Sequence, residues 1–241
     1  MRITFLTLFP EMYQNFTETS IIGRAISENK VSVDFVNIRD FALDKYKHVD
    51  DTPYGGGAGM IMKCQPVLDA LNSVRNENSH VVLFTAGGKQ YNQSLARKYV
   101  TYDHLILLCG HYEGMDARIE KHVDEVISIG DYVLTGGELA SMVVADSVIR
   151  LIDGVIQLDS INDESYENGL LEYPQYTKPQ DYNGEKIPEV LASGDHEKIR
   201  KWRKTQSLVL TREKRKDLFD KYILTEEDIK LLKAYDDKIK E

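Results

Sequence analysis

Val81-Val-Leu-Phe-Thr-Ala-Gly-Gly-Lys89 is an apolar run that stops in a glycine pair, and the chain repeats the figure twice before residue 139. Leu105-Ile-Leu-Leu-Cys-Gly-His-Tyr-Glu-Gly-Met115 comes next, then Glu125-Val-Ile-Ser-Ile-Gly-Asp-Tyr-Val-Leu-Thr-Gly-Gly-Glu138. Runs that are apolar along their whole length read as strands covered on both faces, the signature of a parallel sheet in an α/β fold. Such sheets bind ligands at the carboxyl ends of their strands. Glycine lets backbone approach a ligand there because it carries no Cβ and tolerates positive φ. Three such ends so close together point to one pocket.

Outward from this stretch, strand patterns lie at Ile3–Phe9 and Val31–Asn37, besides His80–Thr85, Leu105–Cys109 and Glu125–Ile129. Helical patterns fall between them near Glu11–Thr17, Gly23–Asn29, Pro66–Asn76, Asn92–Val100 and Asp116–His122. The alternation predicts a mostly parallel sheet with helices on both faces. Glu138–Ile152 reads as a long helix with apolar residues on more than one face, so it is buried on several sides or lies against another subunit. Thr135 and Glu138, three apart, have the spacing of a capping box.

After Asp153 the composition turns polar, rich in Asp, Asn, Tyr and Gly, and from Pro188 it becomes helical again. The expected organisation is an α/β domain over 1–155, a flexible linker over 156–187 and a small helical domain over 188–241. Cys64 and Cys109 make neither a disulfide framework nor a metal spacing. The six histidines show no metal spacing either. The opening Met1–Pro10 is too short to span a membrane and lacks a cleavage pattern. The expectation is a cytoplasmic protein with no membrane partner.

The net charge of −9 hides an uneven distribution. His196–Lys216 holds nine Lys/Arg against two Glu, a balance of +7, and the remaining 21 basic and 37 acidic residues leave −16. A basic segment on an acidic body can hold phosphates locally while the rest of the surface repels polyanions.

The glycine turns themselves do not suit phosphate. Tyr54-Gly-Gly-Gly-Ala-Gly-Met60 lacks the Lys-Ser/Thr ending of a P-loop. The three later turns carry Glu113, Asp131 and Glu138 in place of lysines, with Tyr112 and Tyr132 available to stack on a base. A ligand with an adenine and cationic groups fits such a pocket, and S-adenosylmethionine has both.

Four motifs then become recognisable: Pro53-Tyr-Gly-Gly-Gly-Ala-Gly-Met60, Cys109-Gly-His-Tyr-Glu-Gly-Met-Asp116, Ser128-Ile-Gly-Asp-Tyr-Val-Leu-Thr-Gly-Gly-Glu138 and Gly169-Leu-Leu-Glu-Tyr-Pro-Gln-Tyr-Thr-Lys-Pro179. Together with Leu8-Phe-Pro-Glu-Met12 and Glu197-Lys-Ile-Arg-Lys-Trp202 they closely resemble the bacterial tRNA (guanine-N(1))-methyltransferase family, of the SPOUT class. The resemblance implies a deep trefoil knot in the α/β domain that holds bent S-adenosylmethionine. By motif position it places Phe84, Thr85, Ala86, Gly110, Tyr112, Glu113, Ile129, Gly130, Asp131, Tyr132, Val133, Leu134, Gly136 and Gly137 at the cofactor site. It implies a homodimer with shared active sites, and methylation of N(1) of the guanine immediately 3′ of the tRNA anticodon, a 1-methylguanosine that protects the reading frame.

That chemistry needs a base for the N(1) proton, a cation for the charge developing on the guanine oxygen, and an in-line geometry. Arg150 matches the family's catalytic arginine. Glu164 occupies the place of the family's carboxylate base, and Asp163 beside it is the alternative. Arg200, Arg203 and Arg215 are the expected contacts to the anticodon stem-loop. Magnesium is expected without a dedicated metal cluster, with Glu113 the residue able to take part.

Overall fold

The computed structural model describes residues 1–157 and 164–240. They form two compact units, Met1–Gln157 and Leu158–Glu241.

The first unit is built on five parallel strands: β1 (Arg2–Thr7), β2 (Ser32–Asn37), β5 (Ser79–Gln90), β6 (His104–Leu108) and β7 (Glu125–Ser128). Their order is β2-β1-β6-β5-β7, so the chain starts inside the sheet and the last strand takes an edge. Two short strands, β3 (Asp50–Asp51) and β4 (Ile61–Met62), make a separate antiparallel pair. The predicted α/β class and parallel pairing are borne out.

Strand side chains alternate between faces. Leu6, Val81, Leu83, Ile106 and Leu108 share a core cluster with Val67, Ala70 and Leu71 of helix α3 (Cys64–Val74). Helices α1 (Gln14–Glu18) and α2 (Ser20–Ser27) precede it, and α4 (Gln93–Tyr99) and α5 (Glu138–Ile149) follow. Phe5 packs against the tilted ring of Tyr13, with centroids 4.5 Å apart, and the Tyr13 hydroxyl reaches Ser141 of α5 at 2.7 Å. All five residues of β6 are buried, which explains the unbroken apolar run. His104, which begins the strand just before that run, is satisfied on both ring nitrogens, by Thr4 Oγ1 and Ser79 Oγ, each at 2.8 Å.

The second unit is helical: α6 (Glu189–Ala192), α7 (His196–Lys214), α8 (Lys216–Phe219) and α9 (Glu226–Lys240). Asp195 caps α7 by accepting from the Lys198 amide at 3.1 Å. Thr225 and Asp228 form reciprocal side-chain to backbone bonds at the start of α9. Leu170, Leu208, Val209 and Leu232 make its core. Leu170 belongs to the stretch expected to be flexible linker, and it is anchored: the Leu171 amide donates to Thr211 Oγ1 at 2.8 Å. The same stretch holds a hairpin of β8 (Asp181–Tyr182) and β9 (Glu185–Lys186). Its turn is Asn183-Gly184 with both φ positive, 54° and 93°, as a tight two-residue hairpin turn requires.

Candidate active site at the strand carboxyl ends

Strands β6, β5 and β7 are neighbours in the sheet, so the turns that leave them meet at one edge. A cavity of about 270 Å³ lies there, close to the lower end of the ligand-pocket range. The first wall is not the simple turn expected. Phe84 and Lys89 both pair with Ile127, so Thr85–Gly88 bows out as a bulge inside β5. A Cβ on Gly88 would lie 2.4 Å from the Ile127 carbonyl carbon, and only glycine fits so near that strand. Phe84, Thr85 and Ala86 face the cavity from this bulge.

Gly110, Tyr112 and Glu113 supply the second wall, Ile129–Gly130 and Tyr132–Gly137 the third. Tyr112 has φ 59°, a left-handed conformation that costs a non-glycine residue about 1–2 kcal/mol. Of the residues expected at the cofactor site, Asp131 alone does not line the cavity. The Tyr132 ring folds back across Gly130, where a Cβ would come within 2.4 Å of it, and Asp131 is left exposed to solvent.

The lining contains the carboxylates Glu113, Asp116 and Glu120 and neither Lys nor Arg. Asp116 is held by Arg118 through two bonds of 2.9 and 2.5 Å, and this guanidinium keeps its carboxyl far below the ordinary range. A cavity with acids and no cation disfavours phosphate and suits a neutral or cationic ligand.

Under the floor runs a buried polar cluster. Glu138 does not form the expected capping box; no side chain caps α5. Its carboxylate turns inward instead and accepts from Thr7 Oγ1 at 2.9 Å, leaving the residue only 2% exposed. Tyr13 Oη lies 3.2 Å from Cys109 Sγ. Burial is the main cause that pushes the Cys109 thiol up to about 12, so it stays protonated and is no nucleophile.

The earlier glycine turn, Gly55–Gly59, is tied to the second wall. The Glu113 amide donates to the Met60 carbonyl at 3.0 Å, and the Met62 amide to the Gly114 carbonyl at 2.9 Å. A Cβ on Gly59 would fall 2.3 Å from Glu113 Cγ.

Residues 1–221 match the family model described as tRNA (Guanine-1)-methyltransferase TrmD. A tRNA (guanine-N(1)-)-methyltransferase of Clostridium botulinum strain Langeland is 54% identical over 99% of this chain and 100% of its own length. One of Malacoplasma penetrans is 55% identical over 92% and 99%, and one of Clostridium perfringens 54% over 97% and 100%. The chain belongs to the TrmD family.

Of the residues expected in catalysis, Arg150 lies at the end of α5 opposite the cavity. It is the C-cap residue of that helix, whose first residue, Glu138, sits under the cavity floor. Twelve helical residues at about 1.5 Å each put roughly 18 Å between the two ends. Glu164 belongs to the second unit, where it lines a cavity with His196, Arg203 and Lys204. Asp163 lies outside the described residues.

The expected tRNA contacts differ among themselves. Arg200 is bonded to Glu197 and Glu227, and Arg215 to Asp217 at 2.7–2.8 Å. Arg203 lies over the Tyr173 ring, 4.8 Å from its centroid. Among the described residues no three His, Cys, Asp or Glu side chains are placed to hold a metal ion, and no helix is long and apolar enough to cross a membrane. Sequence reasoning gave no role to His111, which lines the cavity with its Nδ1 facing the Glu138 carboxylate. Its place inside the Gly110–Glu113 turn was the available signal.

Proposed function

We propose that this protein transfers a methyl group from S-adenosylmethionine to N(1) of the guanine immediately 3′ of the anticodon in tRNA. The observation that carries the reading is the cavity at three adjacent strand ends, lined by carboxylates and by no Lys or Arg, in a chain that matches the TrmD family over residues 1–221. The donor fits this lining: its ammonium and sulfonium find acids, its adenine finds apolar walls, and the glycine turns leave backbone amides and carbonyls accessible. The path of the chain supports the knot of the SPOUT class. After edge strand β7 it returns across β5 and β6, so that Glu138 reaches Thr7 on β1.

The bound donor supplies an electrophilic methyl on a positively charged sulfur. Thr85–Ala86, Gly110–Glu113, Ile129–Gly130 and Tyr132–Gly137 would hold it. Glu164, with Asp163 the alternative, takes the N(1) proton so that the ring nitrogen becomes a nucleophile. Arg150 stabilises the negative charge that this places on the guanine oxygen. Because α5 places Arg150 roughly 18 Å along its axis from Glu138, at the end away from its own cavity, Arg150 serves the cavity of a second copy. Leu139 and Val143, one turn apart on α5 and about half exposed, give that copy an apolar face to cover. Glu113, exposed beside the cavity, is the residue that would take part in holding a magnesium ion, which would supply positive charge there. The basic face of α7, Arg203 foremost, takes the phosphates of the anticodon stem.

Transfer of labelled methyl to tRNA transcripts, followed by nucleoside analysis, tests the reading. The expected product is 1-methylguanosine at the position 3′ of the anticodon. A ribose-methylated product, or RNA binding with no transfer, overturns it.

A further inference from the structure

Among the described residues, one buried side-chain nitrogen or oxygen has no hydrogen-bond partner, and it is His111 Nδ1. It faces Glu138 Oε2 at 3.8 Å, just beyond bonding range. A buried unpaired polar group is costly, and its persistence calls for a cause.

The surroundings supply one. His111 lies on the second wall of the cavity, and Glu138 directly follows the third. The two walls already touch where the Gly137 amide donates to the Gly110 carbonyl at 2.7 Å. Glu138 is fixed from below by Thr7, and the His111 ring leans on Phe9 with centroids 4.8 Å apart. Gly136 borders both groups: a Cβ there would lie 2.3 Å from Glu138 Oε2 and 2.6 Å from His111 Nδ1. The space between the pair is therefore kept open by a bare α-carbon. Glu138 is anchored, while the turn carrying His111 is held mainly by backbone bonds to Met60 and Met62.

We propose that His111 is a positioning residue for the methyl donor: occupancy of the cavity draws the 109–115 turn inward by less than 1 Å, and Nδ1–H then donates to Glu138 Oε2, locking the second and third walls around the ligand. This rests on the reading of the cavity as the S-adenosylmethionine site. The bond exists only in the liganded protein, so it strengthens donor binding without stabilising the empty one. A charge-assisted bond formed on binding corresponds to about tenfold or more in affinity.

The test uses the full-length protein and S-adenosylhomocysteine. Calorimetry compares wild type with His111→Ala and His111→Asn, whose amide nitrogen can stand in for Nδ1. Histidine-labelled protein is followed by nitrogen-15 NMR with and without the ligand, the His111 signals being assigned by their loss in the variants. The expected results are about tenfold weaker binding by His111→Ala, substantial recovery in His111→Asn, and a protected Nδ1 proton that emerges only with ligand. The KM for the donor rises in His111→Ala while kcat at saturating donor stays within about twofold. Unchanged affinity in His111→Ala, no recovery in His111→Asn, or the same protected proton without ligand overturns the role of His111 alone. Failure of wild type to bind S-adenosylhomocysteine overturns the cavity assignment and this proposal with it.

Discussion

The Thr7 hydroxyl donates to the Glu138 carboxylate at 2.9 Å across 131 positions of sequence, joining the end of the first strand to the start of helix α5. Thr7 Oγ1 also accepts from the Phe9 amide at 2.9 Å. Thr7→Val keeps the shape and removes both bonds, leaving a buried carboxylate short of a donor. The expected loss is about 1–3 kcal/mol, read as a lower urea midpoint with an unchanged slope. A midpoint equal to wild type would mean that the carboxylate finds another donor.

Arg150 tests the proposed sharing of each site between two copies. Arg150→Ala is expected to bind S-adenosylhomocysteine like wild type and to lose a factor on the order of 10² or more in turnover. Mixed with a variant blocked in the cavity, such as Gly130→Val, it should regain activity, because each mixed dimer holds one complete site. Absence of recovery would place Arg150 in its own chain's site.

Val143→Glu puts a charge in the centre of the proposed dimer face. Light scattering should show the mass of a single chain, methyl transfer should vanish, and the isolated α/β unit should keep its fold by circular dichroism. A dimeric, active Val143→Glu protein would move the interface elsewhere.

The three arginines proposed for RNA are not expected to count equally. Arg215 must first give up Asp217, and Arg200 must give up Glu197 and Glu227, whereas Arg203 already lies over an aromatic ring. Arg203→Ala should weaken tRNA binding most and lower the slope of log affinity against log salt by about 1. Equal effects of all three would show that the ion pairs open freely.

His104 gives the fold a pH limit. Burial is the main cause that lowers its pKa below the usual 6.5, with the Arg2 charge adding to it. Above pH 6.5 the imidazole is neutral in both states and contributes no pH dependence. As pH falls below 6.5 the unfolded chain takes up the proton first, so stability decreases until the folded state also titrates. His104→Gln should show a flatter stability profile below pH 6.5 and a lower plateau above it. An unaltered profile would assign the acid sensitivity to other groups, His80 among them, whose pKa burial also lowers.

Much of this was legible in the sequence because it depended on local pattern. The runs at Val81–Phe84 and Leu105–Leu108 are apolar since both faces of β5 and β6 are covered, and the glycine turns stand where backbone must pass closely. What escaped depended on distance. That Gly87-Gly88 continues a strand follows from Ile127, which no local rule connects to it. Glu138 has capping spacing, yet Thr7 offers a buried partner from far along the chain, and the tertiary bond prevails. The Asn183-Gly184 hairpin was the opposite case: its turn signal was plain, but the polar surroundings read as linker.

Helix α5 also acts as a ruler. One end fixes a cavity wall and the other fixes a guanidinium, so its length sets the spacing that the proposed dimer would use. Inserting a single residue near Val144 would shift Arg150 by about 1.5 Å and swing it through roughly 100°. Exchanges of one apolar side chain for another along this rod should therefore be tolerated far better than any change in its number of residues.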